Sequence, residues 1–160
     1  MKTLGIDPGT AIMGFGLVES SPRGLKAVEY GCLRTSKNLS PHERLLKLHS
    51  ELEEIMNDLK PEHVAVEKLF FCSNSKTALS VGEARGIVLL SAAKARLTVS
   101  EYTPLQVKLA VTGYGKAEKK QVQQMVKVLL KLKEAPKPDD TADALAIAIC
   151  HLNSYKMERA

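Results

Sequence analysis

Acidic residues fall at three places in this chain where they could act together. In the opening MKTLGIDPGTAIMGFG, Asp7 follows a short apolar run and precedes Pro8-Gly9. In HVAVEKL, Glu67 lies inside a run with the pattern of a buried strand. In PDDTADALAIAIC, Asp139, Asp140 and Asp143 open a largely apolar segment. Each has an ordinary reading when taken singly. Asp-Pro-Gly is turn chemistry, Glu67 can pair with a lysine, and acids suit a helix N-terminus. Taken together they point to chemistry. Carboxylates that converge cannot all stay ionised without cations, and an all-oxygen donor set selects hard ions such as Mg²⁺ or Mn²⁺. In a basic protein this suggests two-metal phosphodiester hydrolysis, with ions about 4 Å apart that activate water and stabilise the leaving oxygen.

Such a site requires elements that bring the acids together. Residues 3–7, 13–20 and 25–35 read as three strands joined by short Gly- or Pro-containing links, an antiparallel meander. Ser40, Pro41 and Glu43 make a capping-box start. Apolar residues then recur at helical spacing from Leu45 to Leu59. A fourth strand over 63–69 carries Glu67. A helix over 77–97, rich in Ala, Gly and Ser, and a fifth strand over 97–103 follow. Pro104 opens a short helix, GYGKAEKK reads as a loop, residues 121–133 as a basic amphipathic helix, and the segment from Thr141 as a closing apolar helix. This order predicts one α/β domain, a mixed five-stranded sheet with helices on its faces. Asp140 and Asp143, three apart, share a face of the last helix's first turn.

The 160 residues are 44% hydrophobic, enough for a sizeable core. A net charge of +5 fits an anionic partner such as nucleic acid. Three scattered cysteines, Cys32, Cys72 and Cys150, have no spacing for a disulfide framework or a zinc site. The opening residues show no basic segment followed by an apolar core, and no apolar run reaches membrane-spanning length, so the expected location is the cytoplasm, without a membrane partner.

The blocks GIDPGTAIMGFG, VAVEKLFFCSN, ALSVGEARG, TPLQVKLAVTGYGKAEKKQVQ and PDDTADALAIAICH stand in this order over residues 2–151. They resemble the RuvC-type Holliday-junction resolvases. The resemblance implies a ribonuclease-H-like fold, with three antiparallel strands and then parallel ones. It implies a Mg²⁺-dependent, homodimeric endonuclease that makes paired symmetric nicks in four-way DNA junctions during recombination and repair, with Mn²⁺ able to substitute and a branch-migration motor complex as a further partner. The family's four acids match Asp7, Glu67, Asp140 and Asp143. The doubled acid leaves Asp139 as an alternative at the third position, and the D-x-x-D spacing selects Asp140.

Phe70-Phe71 follows Glu67 into a polar loop. One aromatic can anchor the core and the other can stack on an unpaired base, and the resemblance points to Phe70. Lys108, Lys116, Lys119 and Lys120 flank GYG, and they read either as a solvated basic face or as phosphate contacts. The resemblance singles out Lys108 and Lys119, with Lys119 assisting at the scissile phosphate. The small residues of the helix over 78–97 pack on the sheet or, as the resemblance adds, meet a second copy across a two-fold axis. His151 lies too far along the last helix from Asp140 to share its metal, and His42, His49 and His63, placed on the first helix and the turn after it, receive no role. Two other readings stand beside the nuclease. One is a phosphate-cradling ATPase half, because DPGT also resembles the first phosphate loop of actin-like and sugar-kinase folds. The other is a non-catalytic nucleic-acid binder, for which four converging acids have no use.

Overall fold

The computed structural model describes residues 1–68 and 75–157. The elements run β1 (Lys2–Asp7), β2 (Ile12–Ser21), β3 (Gly24–Arg34), α1 (Pro41–Leu59), β4 (His63–Glu67), α2 (Ser75–Lys94), β5 (Thr98–Tyr102), α3 (Pro104–Thr112), α4 (Lys119–Leu129) and α5 (Asp139–Met157). The sheet order is β3-β2-β1-β4-β5. β1, β2 and β3 pair antiparallel, whereas β1–β4 and β4–β5 are parallel. This is the mixed five-stranded sheet that the order of elements predicts.

The period of two along the strands sorts side chains to two helical layers. On one face Leu4, Ile6, Met13, Leu17 and Val64 pack with Leu48, Leu52 and Met56 of α1 and with Ala84, Val88 and Ala92 of α2. On the other face Val18 and Ala65 pack with α5, α3 and α4 through Leu145, Ile149, Val107, Val111, Val122 and Val126. Helices therefore cover both faces, as expected. Among the small residues of α2, Ala84 and Ala92 belong to the core, while Gly86 and Ala93 are exposed.

Three glycines let α5 lie directly on the strands. A Cβ added at Gly5 would come 2.0 Å from the Ala144 carbonyl oxygen and 2.7 Å from the Ala148 nitrogen. At Gly14 it would come 2.0 Å from the Asp140 carbonyl oxygen. At Gly16 it would strike the Leu145 side chain at 2.6 Å. Gly5 and Gly16 are register partners, and Gly14 is the partner of Asp7.

Several boundaries differ from those expected. β4 ends at Glu67 rather than at residue 69. α4 starts two residues early because the Glu118 N–H donates to Gln121 Oε1 at 2.8 Å, which caps the helix there. Lys119 and Lys120 therefore belong to a helical turn, not a loop. α4 stops at Leu129, short of the expected 133, and Lys131 takes a left-handed φ of 53°. α2 spans Ser75–Lys94 rather than 77–97. α5 begins at Asp139, two residues before Thr141.

His63 opens β4, as the strand expected over 63–69 has it, and does not lie in the turn after α1; its ring centroid is 5.1 Å from that of His151 on α5. His151 is buried and its Nδ1 pairs with the Tyr102 hydroxyl at 2.9 Å. Burial, helped by the charge of His63, lowers the His151 pKa from 6.5 to about 4. Between these values the unfolded chain takes up a proton that the folded chain refuses. This contribution to stability is fully present above pH 6.5 and is lost as pH falls toward 4. The ceiling of this contribution is about 3 kcal/mol, and it is expected as the difference between wild type and His151→Phe in denaturant titrations across this window.

Candidate active site

The acids meet at the end of the central parallel pair. Asp7 is the last residue of β1 and Glu67 the last of β4. Ile6 partners Val66 in the register. Alternation places Asp7 in line with Thr3 and Gly5, and Glu67 in line with His63 and Ala65, all toward α5. Asp143 comes down from the first turns of α5 to complete the group. Asp7, Glu67 and Asp143 line one pocket of about 260 Å³ with Lys108 and Lys119. Pro104, Val107, Val122, Ala146 and Ile147 form its apolar walls.

The electrostatics match the geometry. Burial raises Asp7, and the negative charges of Asp143, Glu67 and Asp140 raise it further, from 3.8 to about 7. Burial and then Asp143 raise Glu67, against the opposing pull of Lys119 and Lys108. Asp143 is raised by burial and by Asp139 and Asp140, with Lys119 acting the other way. The Lys119 ammonium lies 2.9 Å from Asp143 Oδ2 and 3.5 Å from Asp139 Oδ2. Burial would lower Lys119, but these two carboxylates outweigh it and hold the ammonium above its ordinary pKa.

Asp140 and Asp139 divide as follows. Asp140 does not line the pocket, yet its charge acts on Asp7 and its backbone rests over Gly14. Asp139 is exposed and engages Lys119. Among the described residues no three acid, histidine or cysteine side chains already surround one ion-sized point. The donor set nevertheless fits a hard cation, because its ligand atoms are all carboxylate oxygens and they repel one another.

Of the lysines singled out in the sequence, Lys108 and Lys119 reach the pocket, while Lys116 and Lys120 are exposed outside it. Phe70 lies outside the described residues. The sequence reading missed the hydroxyls that hold the Asp-Pro-Gly-Thr turn. Thr10 Oγ1 and Ser80 Oγ are 2.5 Å apart, and the Thr35 hydroxyl donates to the Thr10 carbonyl at 2.6 Å. Thr10 itself, placed directly after the turn, was the available signal.

Residues 3–151 match the family described as crossover junction endodeoxyribonuclease RuvC. The protein of that name from Desulfitobacterium hafniense is 60% identical over 157 residues, covering 98% of this chain and 95% of that one. The structure of Thermus thermophilus RuvC superposes with a TM-score of 0.91 at 38% identity, over 99% of this chain and 97% of the other. The same protein in complex with Holliday junction substrate matches with a TM-score of 0.89 at 37% identity, over 98% and 96% of the two chains. With its ribonuclease-H-like sheet and its acids gathered at the end of the central strands, the chain belongs to the RuvC family of crossover junction endodeoxyribonucleases.

Proposed function

We propose that this chain resolves four-way DNA junctions by hydrolysing one phosphodiester in each of two opposed strands. The observation that carries the reading is the pocket where Asp7, Glu67 and Asp143 crowd against one another beside Lys119 and Lys108. Asp7, Glu67, Asp140 and Asp143 would hold the divalent ions. Mg²⁺ is the hard ion best suited to them, and Mn²⁺ is an alternative. When bound, these ions supply an activated water and neutralise the leaving oxygen of an in-line displacement.

The remaining chemistry belongs to the chain itself. Lys119 is held charged beside Asp143 at the pocket, where an ammonium would stabilise negative charge developing on a phosphate. Lys108 lowers the cost of ionising Glu67. The apolar wall of Val107, Val122 and Ile147 limits water around the reacting group. Phe70 is assigned to an unstacked base, and Lys116 and Lys120 to the phosphates of the arms. The function is placed in the cytoplasm, with a branch-migration motor as partner. Among the described residues no helix is long and apolar enough to cross a membrane.

Two opposed nicks call for two sites, and α2 offers the surface for a second copy. Leu79 is 69% exposed and Leu90 is 50% exposed. With Gly82 and Gly86 they form a stripe along one side of α2 at helical spacing. An exposed apolar stripe of this kind suits a two-fold interface.

A labelled four-way junction incubated with the protein should be cut in Mg²⁺ and bound but uncut in EDTA. Binding without cutting in both conditions would favour the non-catalytic binder. Lys119→Met should slow cutting by about 100-fold, as expected for loss of one charge-stabilising donor, while a gel shift shows the junction still bound.

A further inference from the structure

The turn that ends in Thr10 is gripped from two sides. From the β3 side, Thr35 donates its backbone N–H to the Ala11 carbonyl at 3.1 Å and its hydroxyl to the Thr10 carbonyl at 2.6 Å. From the α2 side, Ser80 meets the Thr10 hydroxyl at 2.5 Å, joining residues 70 apart in sequence. Both hydroxyls are partly buried. Asp7 lies only three residues before Thr10, across Pro8 and Gly9. A Cβ at Gly9 would fall 2.2 Å from the Ile12 carbonyl oxygen, so the chain doubles back closely on itself there. With only two residues between them, a displacement at Thr10 would be felt at Asp7.

α2 is also the helix reached directly after residues 69–74, the segment carrying Phe70, and Leu79 of its exposed stripe is the neighbour of Ser80. We infer that the Thr10–Ser80 hydroxyl pair is a positioning joint that sets the catalytic turn, and with it Asp7, by the placement of α2. The inference rests on the nuclease reading above and adds two residues that touch neither the metal ligands' oxygens nor the pocket. Such a joint costs little in folding and much in rate, because a misplacement of about 1 Å in a reacting group can cost about 100-fold.

The test is single-turnover cleavage of a labelled four-way junction by the full chain, with junction affinity and Mn²⁺ affinity measured alongside by gel shift and calorimetry. Ser80→Ala and Thr10→Val are each expected to slow cleavage by about tenfold at saturating junction, a partial loss of alignment. Junction affinity should stay within about twofold, since neither residue is assigned to the DNA. Ser80→Thr, which keeps the hydroxyl, should restore the rate. The double variant should be no slower than the slower single one, because both remove the same contact. Unchanged cleavage in Ser80→Ala would overturn the inference, as would additive losses in the double variant. So would a loss in rate and affinity together that Ser80→Thr does not restore. A wild-type chain that bound the junction and did not cut it would instead remove the nuclease reading.

Discussion

Asp7→Asn will leave the protein able to bind a four-way junction and unable to cut it, and will make the metal-free protein harder to unfold. The first half follows from position. Asp7 ends the central strand, faces Glu67 and Asp143, and feels all three other acids. An amide in its place keeps the shape but removes the charge that a divalent ion needs. The expected loss in cleavage is at least about 1000-fold, given how much of the barrier such sites lower. Gel shift and cleavage on the same sample separate the two effects. Wild-type cutting by the variant would reject Asp7 as a ligand.

The second half follows from linkage. Burial and like charges hold Asp7 near 7, against 3.8 unperturbed. Across that window the folded chain binds a proton that the unfolded chain has released. Stability therefore falls as pH rises through it, and the penalty is complete above pH 7. An amide never pays it, so in EDTA at pH 8 the variant should be more stable than wild type by up to about 4 kcal/mol. At pH 4 the two should converge. Under the proposed role of Asp7, the like charges gathered for a metal oppose stability.

The second large effect is expected at a residue with no side chain. Gly14→Ala places a methyl 2.0 Å from the carbonyl oxygen and 2.4 Å from the carbonyl carbon of Asp140, both main-chain atoms that cannot rotate away. Either α5 lifts from β2 or the chain does not fold. A destabilisation on the order of 3 kcal/mol or more is expected from such overpacking. Any folded fraction should cut poorly, because the displaced turn of α5 carries Asp140 and Asp143. Gly31→Ala is the comparison. Its methyl meets only the Phe15 ring, at 3.2 Å, and a ring can yield; its cost should stay below about 1.5 kcal/mol. Urea denaturation of the two variants measures the difference. Equal midpoints would show that α5 is not seated by Gly14.

The sequence made the acids and their carriers legible for a physical reason. A carboxylate inside VAVEKL has no inexpensive place in a buried strand. The apolar alternation around it told which strand it was, and the ordered blocks told which sheet. What stayed hidden depends on contacts between distant segments. The glycines at 5, 14 and 16 are spaced two apart where they share a strand, a pattern that signals close approach of another backbone, but nothing local says which helix approaches. The Thr10–Ser80 pair joins two unremarkable hydroxyl residues across most of the sheet's connectivity. The early start of α4 turned on Glu118 acting as a cap, a position where Ser, Thr, Asp and Asn are the usual signals. The ring contact of His63 with His151, eighty-eight positions later, has no local signal.

The position of α5 also governs when the enzyme can exist during its synthesis. Among the described elements β1 precedes its parallel partner β4 by about sixty residues, and the helix that seats on Gly5, Gly14 and Gly16 follows all the others. Until α5 leaves the ribosome, Asp7 and Glu67 lack Asp143, and one face of the sheet lacks its central cover. A chain cut short before α5 is therefore expected to show no cleavage, because the helix that covers this face also carries Asp140 and Asp143.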